Sequence, residues 1–331
     1  MSGGPELVTM AAAIHDALAE EMRRDERVVL FGEDIGRAGG VFKVSQGLWE
    51  EFGAARVWDT PISEVAITGM ALGAALNGMR PVLDLMFSDF FAVAWDQVVN
   101  QIAKFRYQTG GQGERLPLVL RAASGAGIAF GAQHSQSIES WFCPTPGLKV
   151  VVPSCPRDAK GLVKAAIRDD GPVCVLEPKA LYFVKGPAAP PDEVVPLGRA
   201  AVVRAGDAAT VVACGFMVPR ALAAADALGG RGHAVEVIDL RTVIPLDRAT
   251  IAASLRKTGR LVTVDETPAG AGWAADVLAW ALEEGLVRPG AARRVSPPPT
   301  PVPFAPSLEE AWLPSVGRID EALSALLGTR R

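Results

Sequence analysis

Short apolar runs alternate with stretches of helical spacing along most of the chain. The apolar runs cover residues 27–32, 81–87, 116–121, 148–153, 173–176, 209–214, 234–240 and 261–264. Apolar residues recur every three to four positions in residues 91–102, 156–169, 219–228, 247–258 and 272–285. Strands of this kind that alternate with helices are typical of parallel sheets covered on both faces. The pattern therefore predicts an α/β protein with two doubly wound domains.

A proline-rich stretch separates two series of predicted strands and helices. Residues 186–196 contain four prolines and are typical of an inter-domain linker. We therefore expect a first domain over residues 1–185 and a second over residues 197–331. A second proline-rich stretch, residues 297–306, is expected to run extended over a surface.

Composition and charge argue against several classes of function. The 331 residues are 49% hydrophobic and 21% charged, as in a globular protein with a sizeable core, and the net charge is −4. Such a charge gives no electrostatic basis for binding nucleic acid or an anionic membrane. The chain has no apolar run near the roughly 18–20 residues of a membrane helix and no visible secretory signal, so a cytoplasmic protein is expected. Four widely spaced cysteines with three histidines indicate buried reduced thiols rather than a zinc site.

Glu64 lies at the predicted start of a helix. Ser63 is a plausible N-cap, and an acid in the first turn is commonly there to complement the helix dipole. The helix then carries Gly69 and Gly73 one turn apart, each costing about 1 kcal/mol relative to alanine. Such glycines indicate that another backbone approaches closely, as at a subunit interface, and Glu64 would lie at that interface.

The spacing of Glu64, Gly69 and Gly73 resembles a pattern found in thiamine-diphosphate enzymes. The surrounding sequence resembles one branch over nearly the whole chain, the β subunit of the E1 component of 2-oxo-acid dehydrogenase complexes. The stretches that carry this resemblance are residues 32–34, 59–64, 96–97, 131–136, 146–151, 158–162, 239–242, 264–266 and 300–306. The resemblance implies a transketolase-like pyrimidine-binding domain followed by a domain of the transketolase C-terminal type.

The resemblance also implies roles for two residues. A glutamate at the position of Glu64 hydrogen-bonds N1′ of the cofactor's aminopyrimidine and helps to activate the cofactor. The histidine of the His-Ser-Gln motif, here His134, helps to transfer the acyl or hydroxyalkyl group to the lipoyl arm of the partner E2. A structural hydrogen bond is the simpler interpretation of a lone histidine, as capping is for Glu64.

Three further positions match the pyrimidine pocket of the family, namely Ile62, Met86 and Phe90. Ile62 would pack under the central bend of the cofactor. Met86 and Phe90 stand where branched-chain relatives are expected to carry an amide and a tyrosine, which leaves the substrate open. Ordinary core packing is the alternative for all three.

Relatives of this type hold a structural potassium ion, mostly through backbone carbonyls. The matching positions are Leu118, Ala166, Ile167, Asp169 and Gly171, with Gly171 in place of an expected asparagine. Carbonyl ligands leave little trace in a sequence, and Asp169 could equally be an ordinary acid at a helix end.

One absence in the sequence bears on assembly. Thiamine-diphosphate enzymes bind the diphosphate through Mg²⁺ with a Gly-Asp-Gly motif, which occurs nowhere in this chain. The resemblance therefore implies that an α subunit holds Mg²⁺ and the diphosphate. It further implies an α₂β₂ assembly in which β also associates with itself, and a lipoyl-bearing E2 as partner.

Three functions remain open from the sequence. The leading hypothesis is the β subunit of a 2-oxo-acid dehydrogenase E1 that decarboxylates a 2-oxo acid oxidatively and passes the acyl group to E2. Residues 86–90 and 103–107 look similar to the acetoin-cleaving branch, which is the alternative. A nucleotide-binding module around the glycines of residues 32–40 is a remote third hypothesis, because they do not form GxGxxG.

Overall fold

The computed structural model describes residues 6–111 and 115–328, which divide into two compact units. Of the described residues, the first unit comprises 6–111, 115–124 and 144–197. The second comprises 125–143 and 198–328. Residues 125–143, which the sequence places in the first domain, therefore pack with the second unit.

The first unit is built on a parallel sheet. Its elements are β1 Leu7–Thr9, α1 Met10–Arg24, β2 Val28–Gly32, α2 Leu48–Phe52, β3 Val57–Asp59, α3 Glu64–Leu76, β4 Arg80–Phe87, α4 Phe91–Asp96, a π-helical stretch Gln97–Ile102, α5 Ala103–Gln108, β5 Leu118–Ser124, β6 Lys149–Val151, α6 Pro156–Arg168, β7 Pro172–Pro178 and β8 Lys185–Pro187. The strands of the sheet lie in the order β6-β7-β5-β4-β2-β3, all parallel, and β1 pairs with β8 in a separate antiparallel ribbon. Every residue of β2, β5 and β7 is buried, as expected for a parallel sheet covered on both faces.

Helices α1 and α6 pack together on this sheet. Ion pairs accompany the apolar contact, because Glu20 binds both Lys160 and Lys164 while the fully buried Glu21 binds Arg168. The two elements are thereby fixed in one arrangement at the side of the sheet.

The second unit repeats the architecture. Its elements are β9 Ala201–Arg204, β10 Ala209–Ala213, α7 Met217–Gly229, β11 Val235–Asp239, β12 Thr242–Ile244, α8 Arg248–Thr258, β13 Leu261–Val264, α9 Trp273–Glu283, β14 Ala292–Val295, α10 Pro306–Trp312 and α11 Val316–Leu327. The sheet order is β14-β13-β10-β11-β9, with β9 antiparallel to β11 and the other pairs parallel. The buried face of α7 packs with the central strands in one apolar core. The predicted two-domain α/β class is confirmed.

The segment predicted as a linker is not an open connection. Its first residues belong to β8, and Val195 is buried against Gly161 of α6, where an added Cβ would meet the valine side chain at 2.5 Å. Arg157 of the same helix also binds Glu193. Residues 186–196 therefore pack along α6, which composition alone does not reveal.

Two smaller expectations need correction. Ser63 directly precedes α3, but its side chain makes no capping hydrogen bond to the helix. Cys174 and Cys214 are buried as expected, whereas Cys143 is exposed. None of the helices among residues 6–111 and 115–328 is long and apolar enough to cross a membrane.

Candidate active site

The carboxyl edge of the first sheet gathers the sequence-predicted cofactor residues. Because β2, β3, β4 and β5 are parallel, the segments that follow them leave the sheet at the same edge. Ligands of open α/β sheets bind at that edge. The Glu33 segment follows β2, the Ile62 segment follows β3, and Met86 lies near the end of β4.

Glu64 is the first residue of α3 and is half-buried. The connection from β3 is tight, because the Thr60 N–H donates to the Gly32 carbonyl at 2.9 Å. The helix N-terminus offers a positive dipole end to the Glu64 carboxylate. The first-turn position of Glu64 next to the helix dipole is therefore compatible with a candidate site at the sheet edge.

Ile62 stands out because an apolar side chain lies open on the loop before α3. Its exposed fraction is 82%. The neighbouring Thr60 hydroxyl is buried and finds no hydrogen-bond partner among the described residues. Core packing, the alternative interpretation of Ile62, is excluded by this exposure. A ligand or partner that covered the loop would bury Ile62.

Met86 lies in a bulge of β4. The pairing of β4 with β5 shifts register between Asp84 and Phe87, and Met86 takes a φ of +60°. A non-glycine residue rarely adopts that conformation. The Met86 N–H donates to Asp84 Oδ1 at 2.8 Å, which holds the bulge. Bulges are enriched beside active sites, where they redirect a side chain.

Phe90 ends the short turn that follows β4 and is half-buried. Its ring packs edge-on against Phe87 with centroids 5.8 Å apart. Phe87 itself is buried, so part of the Phe90 ring serves ordinary packing and part stays accessible.

Glu33 is a residue of this edge that the sequence analysis did not single out. Burial and the negative charges of Glu64, Asp34 and Asp84 raise the pKa of Glu33. Carboxyl groups with raised pKa values in a cleft are candidates for proton transfer. The stretch of residues 32–34 was noticed only as a resemblance, and the signal that could have found Glu33 is its place directly after a buried strand.

His134 lies in a loop of the second unit, not in the first. The loop bends at Gly125 and Gly131, whose φ angles are +81° and +77°. The His134 N–H donates to the Gly131 carbonyl at 3.3 Å, and the ring is half-buried. Space at residue 131 is also tight, since an added Cβ would meet the Phe304 ring at 3.0 Å.

Two carboxylates of the second unit anchor this loop. The Ala126 N–H donates to Glu266, and the Ala129 N–H donates to Glu309 Oε2 at 2.8 Å. Beside Glu266, burial raises the pKa of Asp265 to about 7, with the Glu266 charge adding to it. The His134 loop is thus bound to its own unit through main-chain donors, which explains why it separates from the sheet that precedes it.

The positions matched to a potassium site lie at the end of α6 and around it. Arg80 Nη1 donates to the carbonyls of Ile167 and Asp169 at 3.0 and 3.1 Å. The Asp169 carboxylate binds Lys149 at 2.5 Å and accepts from the Gly171 N–H at 2.8 Å. Two of the carbonyl oxygens are therefore already in contact with a cation. K⁺ would have to share them with Arg80, so these donors fit it poorly.

Other metal or nucleotide sites find little support in the part of the chain that is described. Within residues 6–111 and 115–328, no group of three or more His, Cys, Asp or Glu side chains is placed to hold a metal ion. The glycines after β2 form a loop closed by the Gly40 N–H to Asp34 carbonyl hydrogen bond at 2.8 Å. The loop does not lead directly into a helix N-terminus that could bind phosphate, which argues against the nucleotide-binding hypothesis.

Comparison with protein families identifies both halves of the chain. The transketolase pyrimidine-binding domain matches residues 6–185, and the transketolase C-terminal domain matches residues 198–319. The first match covers more than half of the chain.

Full-length relatives are similar throughout. The beta subunit of acetoin:2,6-dichlorophenolindophenol oxidoreductase from Bacillus subtilis (strain 168) is 44% identical over 335 residues, which cover 97% of this chain and 98% of that protein. The pyruvate dehydrogenase E1 component subunit beta of the same organism is 44% identical over 310 residues, 93% of this chain and 95% of that one. A solved split-gene transketolase, described as an inactive beta4 tetramer, superposes with a TM-score of 0.79 at 26% identity, over 98% of this chain and 100% of that chain.

Proposed function

Since the chain belongs to the E1 beta subunits of 2-oxo-acid dehydrogenase complexes, including the acetoin type, we propose that it supplies the aminopyrimidine half of a thiamine-diphosphate site shared with an α subunit. Its relatives are subunits of thiamine-dependent dehydrogenase complexes, so an oxidoreductase role and dependence on thiamine diphosphate follow from the family. What is proposed here is the group that accepts the product, the partner subunits and the roles of the site residues.

The observation that carries the proposal is the meeting of Glu64, Ile62 and Met86 at one edge of the first sheet. Glu64 begins a helix there, half-buried, while Ile62 offers an open apolar surface on the adjoining loop. Such an arrangement suits an aromatic ring with a protonatable nitrogen, because the carboxyl group can hold the proton while the apolar side chains cover the ring. Phe90 would bound the same pocket.

The chemistry that thiamine diphosphate would supply when bound is that of a carbon nucleophile toward the carbonyl group of a substrate. The residues of this chain would hold and orient it. Glu64 would donate and accept the proton at the ring nitrogen, and Ile62 would exclude water from one side of the cofactor. Glu33 would hold a further proton beside Glu64, in keeping with its raised pKa. His134 would assist transfer of the acyl group to the lipoyl group of E2.

Mg²⁺ is assigned to the α subunit. The chain has no Gly-Asp-Gly, and its described residues offer no cluster of metal ligands. K⁺ at Leu118, Ala166, Ile167, Asp169 and Gly171 stays a prediction, and the Arg80 contacts with two of these positions weigh against it.

The partner proposal rests on the apolar surface of α3. Val65, Met70 and Leu76 have exposed fractions of 44%, 41% and 44%, so α3 presents three apolar side chains to solvent. Gly73 faces open space, since an added Cβ would find no atom within 4 Å. We assign this surface to an E1 subunit, either α or the second β, in an α₂β₂ assembly that docks on a lipoyl-bearing E2.

Two substrate classes fit this site. Identity to the acetoin enzyme and to the pyruvate enzyme is 44% in each case, so it favours neither. The apolar Met86 and Phe90 suit a small uncharged substrate as well as a short 2-oxo acid. Oxidative decarboxylation of a 2-oxo acid remains the main proposal, and acetoin cleavage the alternative.

The test is a calorimetric titration with thiamine diphosphate and Mg²⁺. The chain alone should bind weakly, because a micromolar dissociation constant corresponds to about −8 kcal/mol, more than a ring pocket without a diphosphate anchor should provide. Addition of the α subunit should restore tight binding and turnover. The assembled enzyme is then assayed with pyruvate, branched-chain 2-oxo acids and acetoin in parallel. Micromolar binding and turnover by the chain alone would refute the shared-site proposal.

A further inference from the structure

The bulge that presents Met86 is held by a buried chain of charged groups. Asp84 accepts from the Met86 N–H through Oδ1, and its Oδ2 binds Arg121. Arg121 in turn binds both oxygens of Glu177, at 2.8 and 2.7 Å. The Tyr182 hydroxyl donates to Glu177 Oε2 at 2.7 Å. The main chain at Met86 is thereby connected to three strands of the sheet core.

The register of the sheet explains why these groups meet. Asp84 of β4 lies opposite Arg121 of β5, and Glu177 of β7 lies opposite the second residue after Arg121. Asp84 is also opposite Gly32 of β2, where an added Cβ would meet the Asp84 carbonyl oxygen at 2.4 Å. The position of Asp84 is therefore fixed from both sides.

The charges in this cluster indicate that Asp84 positions the bulge rather than stabilises the fold. Arg121 is 3% exposed, Glu177 is 0% exposed and Asp84 is 9% exposed, so two carboxylates share one guanidinium in the interior. The Arg121–Glu177 pair would be balanced without Asp84. Because buried ion pairs contribute little net stability over apolar packing, a second carboxylate needs another explanation.

A small cavity adjoins the bulge. It has a volume of about 20 Å³, room for about one water molecule, and Glu33, Ser45, Asp84, Met86, Arg121 and Tyr182 are among the residues that line it. Met86, whose backbone has a φ of +60°, thus borders the same cavity as these polar groups.

We propose that Asp84, oriented by Arg121, is a positioning residue that holds Met86 in its left-handed conformation and so sets the shape of the cofactor pocket. The proposal rests on the proposed function only in naming thiamine diphosphate as the ligand of this pocket. Asp84 is not expected to touch the cofactor. It acts through the Met86 main chain, and Arg121 acts through Asp84.

The test compares Asp84→Ala with the control Glu21→Gln. Glu21 is also a buried carboxylate bound by arginine, but it lies on α1 and makes no contact with the bulge. Hydrogen exchange of residues 83–88 is measured first, on the full chain without cofactor. Asp84→Ala should speed exchange there about tenfold, whereas Glu21→Gln should leave it unchanged. Equal exchange at residues 83–88 in both variants would overturn the proposal.

Cofactor binding is measured next, on the chain assembled with its α subunit. Asp84→Ala should raise the dissociation constant of thiamine diphosphate about tenfold, and Asp84→Asn, which keeps an acceptor oxygen, should raise it much less. If wild type itself fails to bind thiamine diphosphate, the proposed function is wrong while the exchange measurement still decides the role of Asp84.

A double-mutant cycle with Met86→Gly covers the case in which Asp84→Ala folds poorly. Glycine adopts positive φ without strain, so the acceptor from Asp84 is no longer needed. In the Met86→Gly background, Asp84→Asn and Asp84→Ala should add little to the dissociation constant and little to the exchange rate. If Asp84→Ala raises the dissociation constant and the exchange rate as much in the Met86→Gly background as in wild type, the proposal is contradicted.

Discussion

At the carboxyl edge of the first sheet, burial and the negative charge of Glu64 raise the pKa of Glu33. One group follows β2 and the other begins α3, so α2 and β3 lie between them along the chain. Two carboxyl groups whose charges repel each other can hold a proton more readily than an isolated one. The candidate site is therefore acidic as well as apolar.

The first prediction concerns Glu64. Glu64→Gln should leave folding and assembly intact but reduce turnover about 10²- to 10⁴-fold, because an amide cannot accept and return a proton. Turnover of the enzyme assembled with α is the measurement. Glu50→Gln is the control, since Glu50 also lies in the first turn of a helix but is exposed on α2. Near-wild-type turnover of Glu64→Gln would remove this residue from catalysis.

The second prediction separates His134 from Glu64. His134→Ala should reduce acyl transfer to lipoyl-E2 about a hundredfold and reduce decarboxylation with an artificial electron acceptor far less. His233→Ala serves as the control, because His233 lies in a turn before β11 of the same unit. An equal loss in the two assays would mean that His134 acts earlier or only holds its loop.

Much of the fold was readable from the sequence because the apolar strands are continuous. Residues 261–264 were predicted as a strand and form β13, and Asp247 caps α8 through the Thr250 N–H at 3.0 Å, where that helix was expected to begin. Strands buried on both faces leave strong signals that depend on local sequence alone.

The division of the chain was harder to predict. The His134 loop joins the second unit through Glu266 and Glu309, which lie 140 and 180 residues from the main-chain donors they bind. No local pattern encodes such distant contacts. The same holds for the Met86 bulge, since nothing in the sequence around residue 86 indicates a positive φ held by a hydrogen bond to Asp84.

The third prediction follows from Asp265, whose pKa burial raises from 3.8 to about 7. Between those values the folded state binds more protons than the unfolded state, so the free energy of unfolding falls as pH rises. The stabilisation is fully present below about pH 4 and is lost as pH rises through about 7, with a limiting slope of about 1.4 kcal/mol per pH unit.

Thermal unfolding at pH 5.5 and pH 8 tests this sign. Asp265→Asn keeps an oxygen that can accept from the Thr267 N–H, which in wild type lies 2.9 Å from Asp265 Oδ1. The variant should lose part of the difference in Tm between the two pH values, whereas Asp207→Asn, at an exposed position, should retain it. A wild-type profile matched by Asp265→Asn would show that this carboxyl group does not titrate in the range.

The last prediction concerns K⁺ and Arg80. Arg80 already donates to the carbonyls of Ile167 and Asp169, and it also binds Asp170 at 2.6 Å, so a potassium ion would compete with a fixed guanidinium. Exchange of 100 mM NaCl for KCl should therefore raise the Tm of wild type little. In Arg80→Gln the two carbonyls lose their contact with the guanidinium, so K⁺ should raise the Tm more than in wild type. An ion that binds only the folded state, at about 100 times its dissociation constant, adds about 2.7 kcal/mol to the free energy of unfolding. A potassium-specific rise in wild type as large as that in Arg80→Gln would establish that the ion and Arg80 share the site.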